Sequence, residues 1–137
     1  MADAPSTSTP IAKLRNVVLD CPDPLALAEF YAQIIGGTVE GDDGGDWVDL
    51  VFPGRVKVSF QRVSDLRPPQ WPRSDVHGQQ LHLDLDAGRT TEEIDAAEKK
   101  VIALGARPLD VDDDDGKRDF RVYADPAGHP FCLCKLP

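Results

Sequence analysis

The stretch Gln79-Gln80-Leu81-His82-Leu83-Asp84-Leu85-Asp86 alternates polar and apolar residues along its whole length. A period of two is typical of a β-strand with one buried face, because successive side chains point to opposite sides. The three leucines are therefore predicted to face a core, while His82, Asp84 and Asp86 share the other face. A histidine and two carboxylates on one strand face form either a wet surface or the floor of a functional cavity. We predict a cavity.

The segments on either side of this strand repeat one order of elements. A first helix is predicted between Asp23, which caps it, and Gly36, which ends it. A second begins at Thr90 and Glu93, which have capping-box spacing, and ends at Gly105. The predicted strands are 14–21, 38–40, 47–52, 55–62, 79–86, 106–111, 120–124 and 130–136. The order is strand, helix and three strands, twice.

Equivalent positions in the two halves are separated by a nearly constant number of residues, as expected for two copies of one unit. Asn16 and His82 are 66 residues apart (82 − 16), and Ser59 and Cys132 are 73 apart (132 − 59). We predict an α+β fold in which two βαβββ modules form an open, cup-shaped barrel of mixed β-sheet with the helices outside. All four residues lie on strand faces turned away from the helices, so they are predicted to converge inside the cup.

The length and composition indicate one domain. A chain of 137 residues with 41% hydrophobic content can build one core but is short for two. We predict a disordered N-terminal tail at 1–12 and a single domain at 13–137. Within the domain, module one occupies 13–62, a proline-rich connector 63–78 and module two 79–136.

The charge and the apolar pattern exclude two classes of partner. A formal net charge of −9 argues against nucleic acid, which proteins bind through clusters of Lys and Arg. No run approaches the roughly 20 apolar residues of a membrane span, and the first ten residues lack the features of a secretion signal. The cysteines Cys21, Cys132 and Cys134 are odd in number, which favours reduced thiols and a cytoplasmic location.

The chain resembles the vicinal oxygen chelate superfamily, which contains glyoxalase I, extradiol dioxygenases and bleomycin-resistance proteins. The matching features are the segment from Asn16 to Tyr31 and the turn Asp125-Pro126-Ala127-Gly128 before the last strand. It is most similar to bacterial glyoxalase-like proteins with a Pro-Pro-x-Trp-Pro connector followed by Gln-Gln-x-His-x-Asp-Leu, here 68–72 and 79–85. The resemblance covers 13–136. It implies the cup-shaped fold, a small-molecule ligand and a homodimer.

The resemblance also implies a divalent-metal site at four symmetry-related strand positions, which here hold Asn16, Ser59, His82 and Cys132. Only His82 is an ordinary ligand of the kind found in the metal-dependent relatives. Asparagine and serine are poor ligands, and cysteine prefers zinc or other soft ions. We therefore expect an incomplete site, assign no cofactor, and leave open a divalent metal bound in an unusual way.

Strand parity gives the candidate ligand pocket. Its predicted lining is Asn16, Trp47, Ser59, Gln61, His82, Asp84 and Cys132. Strand parity allows two orientations for a further set of side chains, either toward the cup or onto an outer face in water. These residues are Asp20, Asp49, Lys57 and Arg121. Two functions follow from this pocket. The first is a protein that holds a small organic molecule without transforming it; the second is a lyase, isomerase or dioxygenase in which His82 is the catalytic base or part of a metal site.

Overall fold

Two βαβββ modules follow one another along the chain. The computed structural model describes residues 10, 13–41, 44–68 and 81–136, and within them it contains two helices and eight strands. The elements are β1 (Asn16–Cys21), α1 (Pro24–Ile35), β2 (Thr38–Glu40), β3 (Trp47–Val51), β4 (Lys57–Arg62), β5 (Leu83–Gly88), α2 (Thr91–Ala103), β6 (Arg107–Asp110), β7 (Phe120–Ala124) and β8 (Pro130–Lys135). The predicted α+β class and element order are confirmed.

Each module forms its own four-stranded mixed sheet. The strand order is β1-β4-β3-β2 in the first and β5-β8-β7-β6 in the second. In both, the opening strand pairs in parallel with the last and the remaining pairs are antiparallel. Among the described residues no strand of one sheet pairs with a strand of the other, so these are open sheets rather than a closed barrel.

The pairing register supports the equivalence of the two modules. Val18 lies opposite Ser59 in the first sheet, and Asp84 lies opposite Cys132 in the second. Asp84 follows Val18 by the same 66 residues (84 − 18) that separate His82 from Asn16. Asp84 therefore occupies a position that holds no polar side chain in the first module.

Helix α1 packs against both modules. The Asp23 carboxylate accepts a hydrogen bond from the backbone N–H of Ala26 at 3.2 Å, and Pro24 fits the first turn. On the buried face, the Tyr31 ring stacks on Phe60 of β4 at 6.0 Å and meets Phe131 of β8 edge-on at 6.1 Å. These rings belong to one continuous hydrophobic core that draws residues from both sheets.

The turn before β8 fastens the second module to the first. The Tyr31 hydroxyl donates a hydrogen bond of 2.6 Å to Asp125, a fully buried carboxylate at the start of that turn. The His129 ring contacts the backbone oxygen of Asp20 in β1. Gly128 has φ +98°, and a Cβ there would collide with the ring of Pro68. The small residue thus lets the start of the connector pass close to the turn.

Helix α2 is held to the second sheet by a buried arginine. Its predicted capping box between Thr90 and Glu93 is present. Arg121 of β7 contacts Asp95 at 2.8 Å and Glu98 at 3.5 Å, both on α2. Both predicted alternatives for Arg121, the cup and an outer face in water, were wrong: β7 pairs Val122 with Cys132 and Arg121 with Leu133, and the buried Arg121 faces α2.

The strand that opened the second half begins later than predicted. β5 starts at Leu83, so His82 immediately precedes it and Leu81 is 51% exposed instead of buried. Gln79, Gln80, most of the predicted tail and 69–78 of the connector lie outside the described residues. Across the part of the chain that is described, neither helix has the length and apolar character needed to cross a bilayer.

Candidate functional site

Three donor side chains gather at the start of β5. Asp84 and Cys132 lie opposite each other on adjacent parallel strands, and His82 is two residues before Asp84, on the same face. The His82 Nε2 atom lies 3.2 Å from Asp84 Oδ1. Ligand atoms of all three residues fall within 4.8 Å of one another. The predicted pairing of His82 with Asp84 is therefore present, and Cys132 joins it.

The Cys132 thiol is a weak acid in this setting. The residue is 3% exposed. Burial, and then the negative charge and hydrogen bond of Asp84, raise the pKa of Cys132 to about 12. A thiol nucleophile needs an electropositive environment that stabilises the thiolate. In this setting the Cys132 thiol is therefore held protonated, as a hydrogen-bond donor to Asp84.

These residues line a cleft of about 330 Å³ on the second sheet, here called the second-sheet cleft. Its walls are formed by His82, Asp84, Asp119, Phe120, Cys132, Cys134 and Lys135. Phe120 is 38% exposed and lines this cleft together with Asp84. The Arg118 guanidinium lies over one face of the Phe120 ring, 4.4 Å from its centroid, which leaves the rest of the ring for a ligand. The Lys135 ammonium is already bonded to the backbone oxygen of Gly116 at 2.7 Å. The cleft therefore combines an aromatic wall with a carboxylate and an imidazole.

The first sheet carries a separate polar network. Asn16 Nδ2 donates to Ser59 Oγ at 2.8 Å, and the buried Ser59 hydroxyl donates to Asp49 Oδ1 at 2.6 Å. Asp49 also accepts from Trp47 Nε1 at 2.8 Å and from Lys57 Nζ at 3.1 Å. We call these five residues the first-sheet network. Asp49 carries its only negative charge, and Lys57 balances it.

The first-sheet network holds Asp49 in its ionised form. Burial acts to raise the pKa of Asp49, but the hydrogen bonds from Ser59, Lys57 and Trp47 outweigh it and lower that pKa. Trp47, Lys57 and Ser59 all donate their hydrogen bonds to the Asp49 carboxylate. Asn16 and Ser59 are consequently engaged with each other and with Asp49.

A family model described as a glyoxalase-like domain matches residues 16–134, from the first residue of β1 almost to the end of β8. The chain belongs to the glyoxalase-like family. The match confirms the resemblance to the vicinal oxygen chelate superfamily. No match was found among curated proteins.

Solved structures of glyoxalase-like proteins share this fold at low sequence identity. A glyoxalase/bleomycin resistance protein/dioxygenase family enzyme from Burkholderia phytofirmans has a TM-score of 0.63 at 18% identity, over 92% of this chain and 100% of that one. A genomically encoded fosfomycin resistance protein from Listeria monocytogenes has 0.61 at 14% identity, over 93% of each. A possible glyoxalase from Bacillus cereus has 0.61 at 14% identity, over 89% and 97%.

The four family metal positions divide into two unlike pairs. His82 and Cys132 face the second-sheet cleft together with Asp84. Asn16 and Ser59 belong to the first-sheet network, where their polar atoms are used in hydrogen bonds. The side chains at these positions therefore do not fit a metal bound by all four. The meeting of all four at one spot stays a prediction.

The remaining pocket residues lie on the first sheet. Trp47 pairs with Gln61 across β3 and β4, and both are exposed. That Trp47 and Gln61 line one ligand pocket with His82 stays a prediction. The sequence reasoning missed Phe120, which lines the cleft. The period of β7 held the signal, because Phe120 and Arg121 must face opposite sides of the sheet and Phe120 pairs with Cys134. Only Arg121 was considered for the cup.

Proposed function

We propose that this glyoxalase-like protein binds a small organic molecule in the second-sheet cleft. The observation that carries the proposal is the exposed Phe120 ring beside Asp84, whose side chain is 65% exposed. Small-molecule sites usually occupy roughly 300 to 1,000 Å³ and combine apolar walls with a few polar groups. A cleft of about 330 Å³ meets both conditions for a small ligand.

The chemistry of the cleft favours a planar ligand with a positive charge. In the proposed complex an aromatic ring packs against the part of Phe120 that Arg118 leaves uncovered, and a cationic group pairs with the Asp84 carboxylate. The net charge of −9 raises the local concentration of cations around the protein. Because the names of structural neighbours include bleomycin and fosfomycin resistance, both antibiotics belong in the first screen, next to a panel of aromatic amines.

The test is a thermal-shift screen in the presence of EDTA, followed by calorimetric titration of the best aromatic amine. Phe120→Ala should weaken its binding about tenfold, since an aromatic contact contributes about 1.4 kcal/mol. Val56→Ala is the matched control. Val56 is 39% exposed against 38% for Phe120, but it lines an adjoining cleft of about 450 Å³ that includes Asp84 and not Phe120.

Two results would overturn the proposal. One is a screen in which no aromatic amine shifts the unfolding temperature. The other is a titration in which Val56→Ala weakens binding and Phe120→Ala does not, because the ligand would then occupy the other cleft.

A second candidate function is catalysis by His82. The 3.2 Å contact with Asp84 is the observation that favours it, because a carboxylate can orient an imidazole as a general base. We propose a lyase, isomerase or dioxygenase reaction on the bound molecule. In D₂O, wild type should exchange an acidic C–H of the ligand, and His82→Gln should lose exchange while still binding. Equal exchange in both proteins would exclude His82 as the base.

We further propose that the protein is a cytoplasmic homodimer that binds neither nucleic acid nor membranes. The three free cysteines support a reducing compartment. Exposed apolar side chains, including Trp47 at 45%, support an interface between copies. Sedimentation equilibrium should give twice the 15.0 kDa chain mass, and a monomer at all concentrations would reject the dimer.

A further inference from the structure

We propose that His82, Asp84 and Cys132 form a binding site for a zinc-class divalent metal that belongs to the second module alone. Such a site differs from one built on the four family positions. It adds Asp84 and leaves out Asn16 and Ser59. It does not depend on the ligand binding proposed above.

The fold brings the three side chains together. Cys132 and Asp84 face each other across a parallel strand pair, and His82 precedes Asp84 by two residues on the same face. In a tetrahedral zinc site with ligand bonds of 2.0–2.3 Å, neighbouring ligand atoms lie roughly 3.3 to 3.8 Å apart. The three donor atoms here lie within 4.8 Å of one another. Metal binding therefore requires the donor atoms to move closer together by side-chain rotation, and the His82 and Asp84 side chains are 37% and 65% exposed.

The donor set selects the class of metal. Imidazole nitrogen, carboxylate oxygen and thiolate sulfur together suit Zn²⁺ and Co²⁺, whereas Mg²⁺ and Ca²⁺ prefer oxygen ligands only. Three protein ligands leave a fourth tetrahedral position for water or for an atom of a bound molecule. When the metal binds, the Cys132 thiol gives up its proton to solvent and its sulfur bonds to the ion.

The described residues of the first module form no equivalent site. The carboxylate of the first-sheet network, Asp49, comes from β3 and is bonded to Ser59, Lys57 and Trp47. Its position equivalent to Asp84 is Val18, which has no donor atom. A metal there would have to displace the Lys57 ammonium, while in the second module the Asp84 carboxylate already faces the imidazole and the thiol.

Cobalt titration of the full chain tests the proposal, because Co²⁺ bound by a thiolate shows a charge-transfer band in the near ultraviolet. We expect one equivalent of Co²⁺ to produce the band and Zn²⁺ to abolish it. Cys132→Ser should remove the band. His82→Ala and Asp84→Asn should each weaken Co²⁺ binding at least about tenfold.

Two matched controls make the assignment specific. Cys134→Ser removes a thiol from the same strand, the same face and the same cleft. Asn16→Ala removes a family position on the first sheet. Both should leave the band and the affinity unchanged, and circular dichroism should show that every variant is folded.

The proposal is overturned if wild type gives no band, if the band survives in Cys132→Ser, or if Cys134→Ser or Asn16→Ala removes it. Loss of the band in Asn16→Ala would mean that the site extends to the first sheet, and loss in Cys134→Ser that Cys134 is a ligand. Because the ligand screen is run with EDTA, its outcome and the outcome of the cobalt titration are independent.

Discussion

Replacing Tyr31 with phenylalanine removes one hydroxyl from the junction between the two modules. That hydroxyl donates a 2.6 Å hydrogen bond to Asp125, which is 1% exposed. The other Asp125 oxygen accepts from the backbone N–H groups of Ala127 and His129. In Tyr31→Phe the Oδ2 atom loses this donor in a place that water does not reach, while the ring keeps its packing.

The expected loss follows from the charge of the acceptor. A hydrogen bond to an ionised group contributes about 1.5 to 3 kcal/mol, and one between neutral groups about 0.5 to 1.5 kcal/mol. We expect Tyr31→Phe to lower the free energy of unfolding by about 2 to 3 kcal/mol at pH 7. For a domain of this size the unfolding temperature should fall by roughly 10 °C.

The loss should shrink in acid. Burial raises the pKa of Asp125, and the hydrogen bond from Tyr31 opposes that rise. Removing the hydroxyl raises the pKa further. A carboxyl group with a raised folded-state pKa favours folding below that pKa and loses this contribution as pH rises through it. The mutational cost should therefore be largest at neutral pH and fall toward about 1 kcal/mol in acid, once the carboxyl group of the mutant is protonated.

Urea unfolding at pH 7 and at a series of acidic pH values, followed by circular dichroism, measures both the cost and its pH dependence. Tyr123→Phe is the matched control. Tyr123 is also buried, and its hydroxyl donates a hydrogen bond of 2.7 Å to Glu98, a carboxylate whose side chain is 27% exposed. Water can replace that donor, so the cost should be about 1 kcal/mol or less. Equal costs for the two variants, or a Tyr31→Phe cost independent of pH, would refute the role given to Asp125.

Three further substitutions test the fold. Arg121→Met should destabilise the protein by about 2 kcal/mol, since it leaves Asp113, Asp95 and Glu98 without their buried cation; a urea midpoint equal to wild type would contradict this. Thr90→Ala should cost about 1 kcal/mol through loss of the helix cap, and Thr90→Ser should restore most of it in the same assay. Gly128→Ala should lower the unfolding temperature by several degrees, because the residue has φ +98° and faces Pro68; an unchanged temperature would show that the turn adapts freely.

Local signals in the sequence were sufficient for the elements. Asp23 and Thr90 mark both helix starts, and the alternation around Asp84 correctly places His82 and Asp84 on one face. These features depend on residues a few positions apart, so they can be read before the chain is folded.

Contacts between distant strands could not be read in this way. Parity alone left the face of Arg121 open, and only the pairing of Val122 with Cys132 decides it. The bond between Tyr31 and Asp125 joins residues 94 positions apart. The linkage of Asp49 to Asn16 through Ser59 needs three adjacent strands in register. Each requires knowledge of the sheet and not only of the strand.

Helix α1 serves two sheets at once, and this makes the halves of the chain depend on each other. A chain ending after β4 would leave Tyr31 and Phe30 without the ring of Phe131 that now covers them, and a chain beginning at β5 would bare Phe131. An ancestral half-length chain with the same packing would hold together only by associating with a second molecule of itself. Gene duplication would then have turned an encounter between molecules into a permanent connection within one.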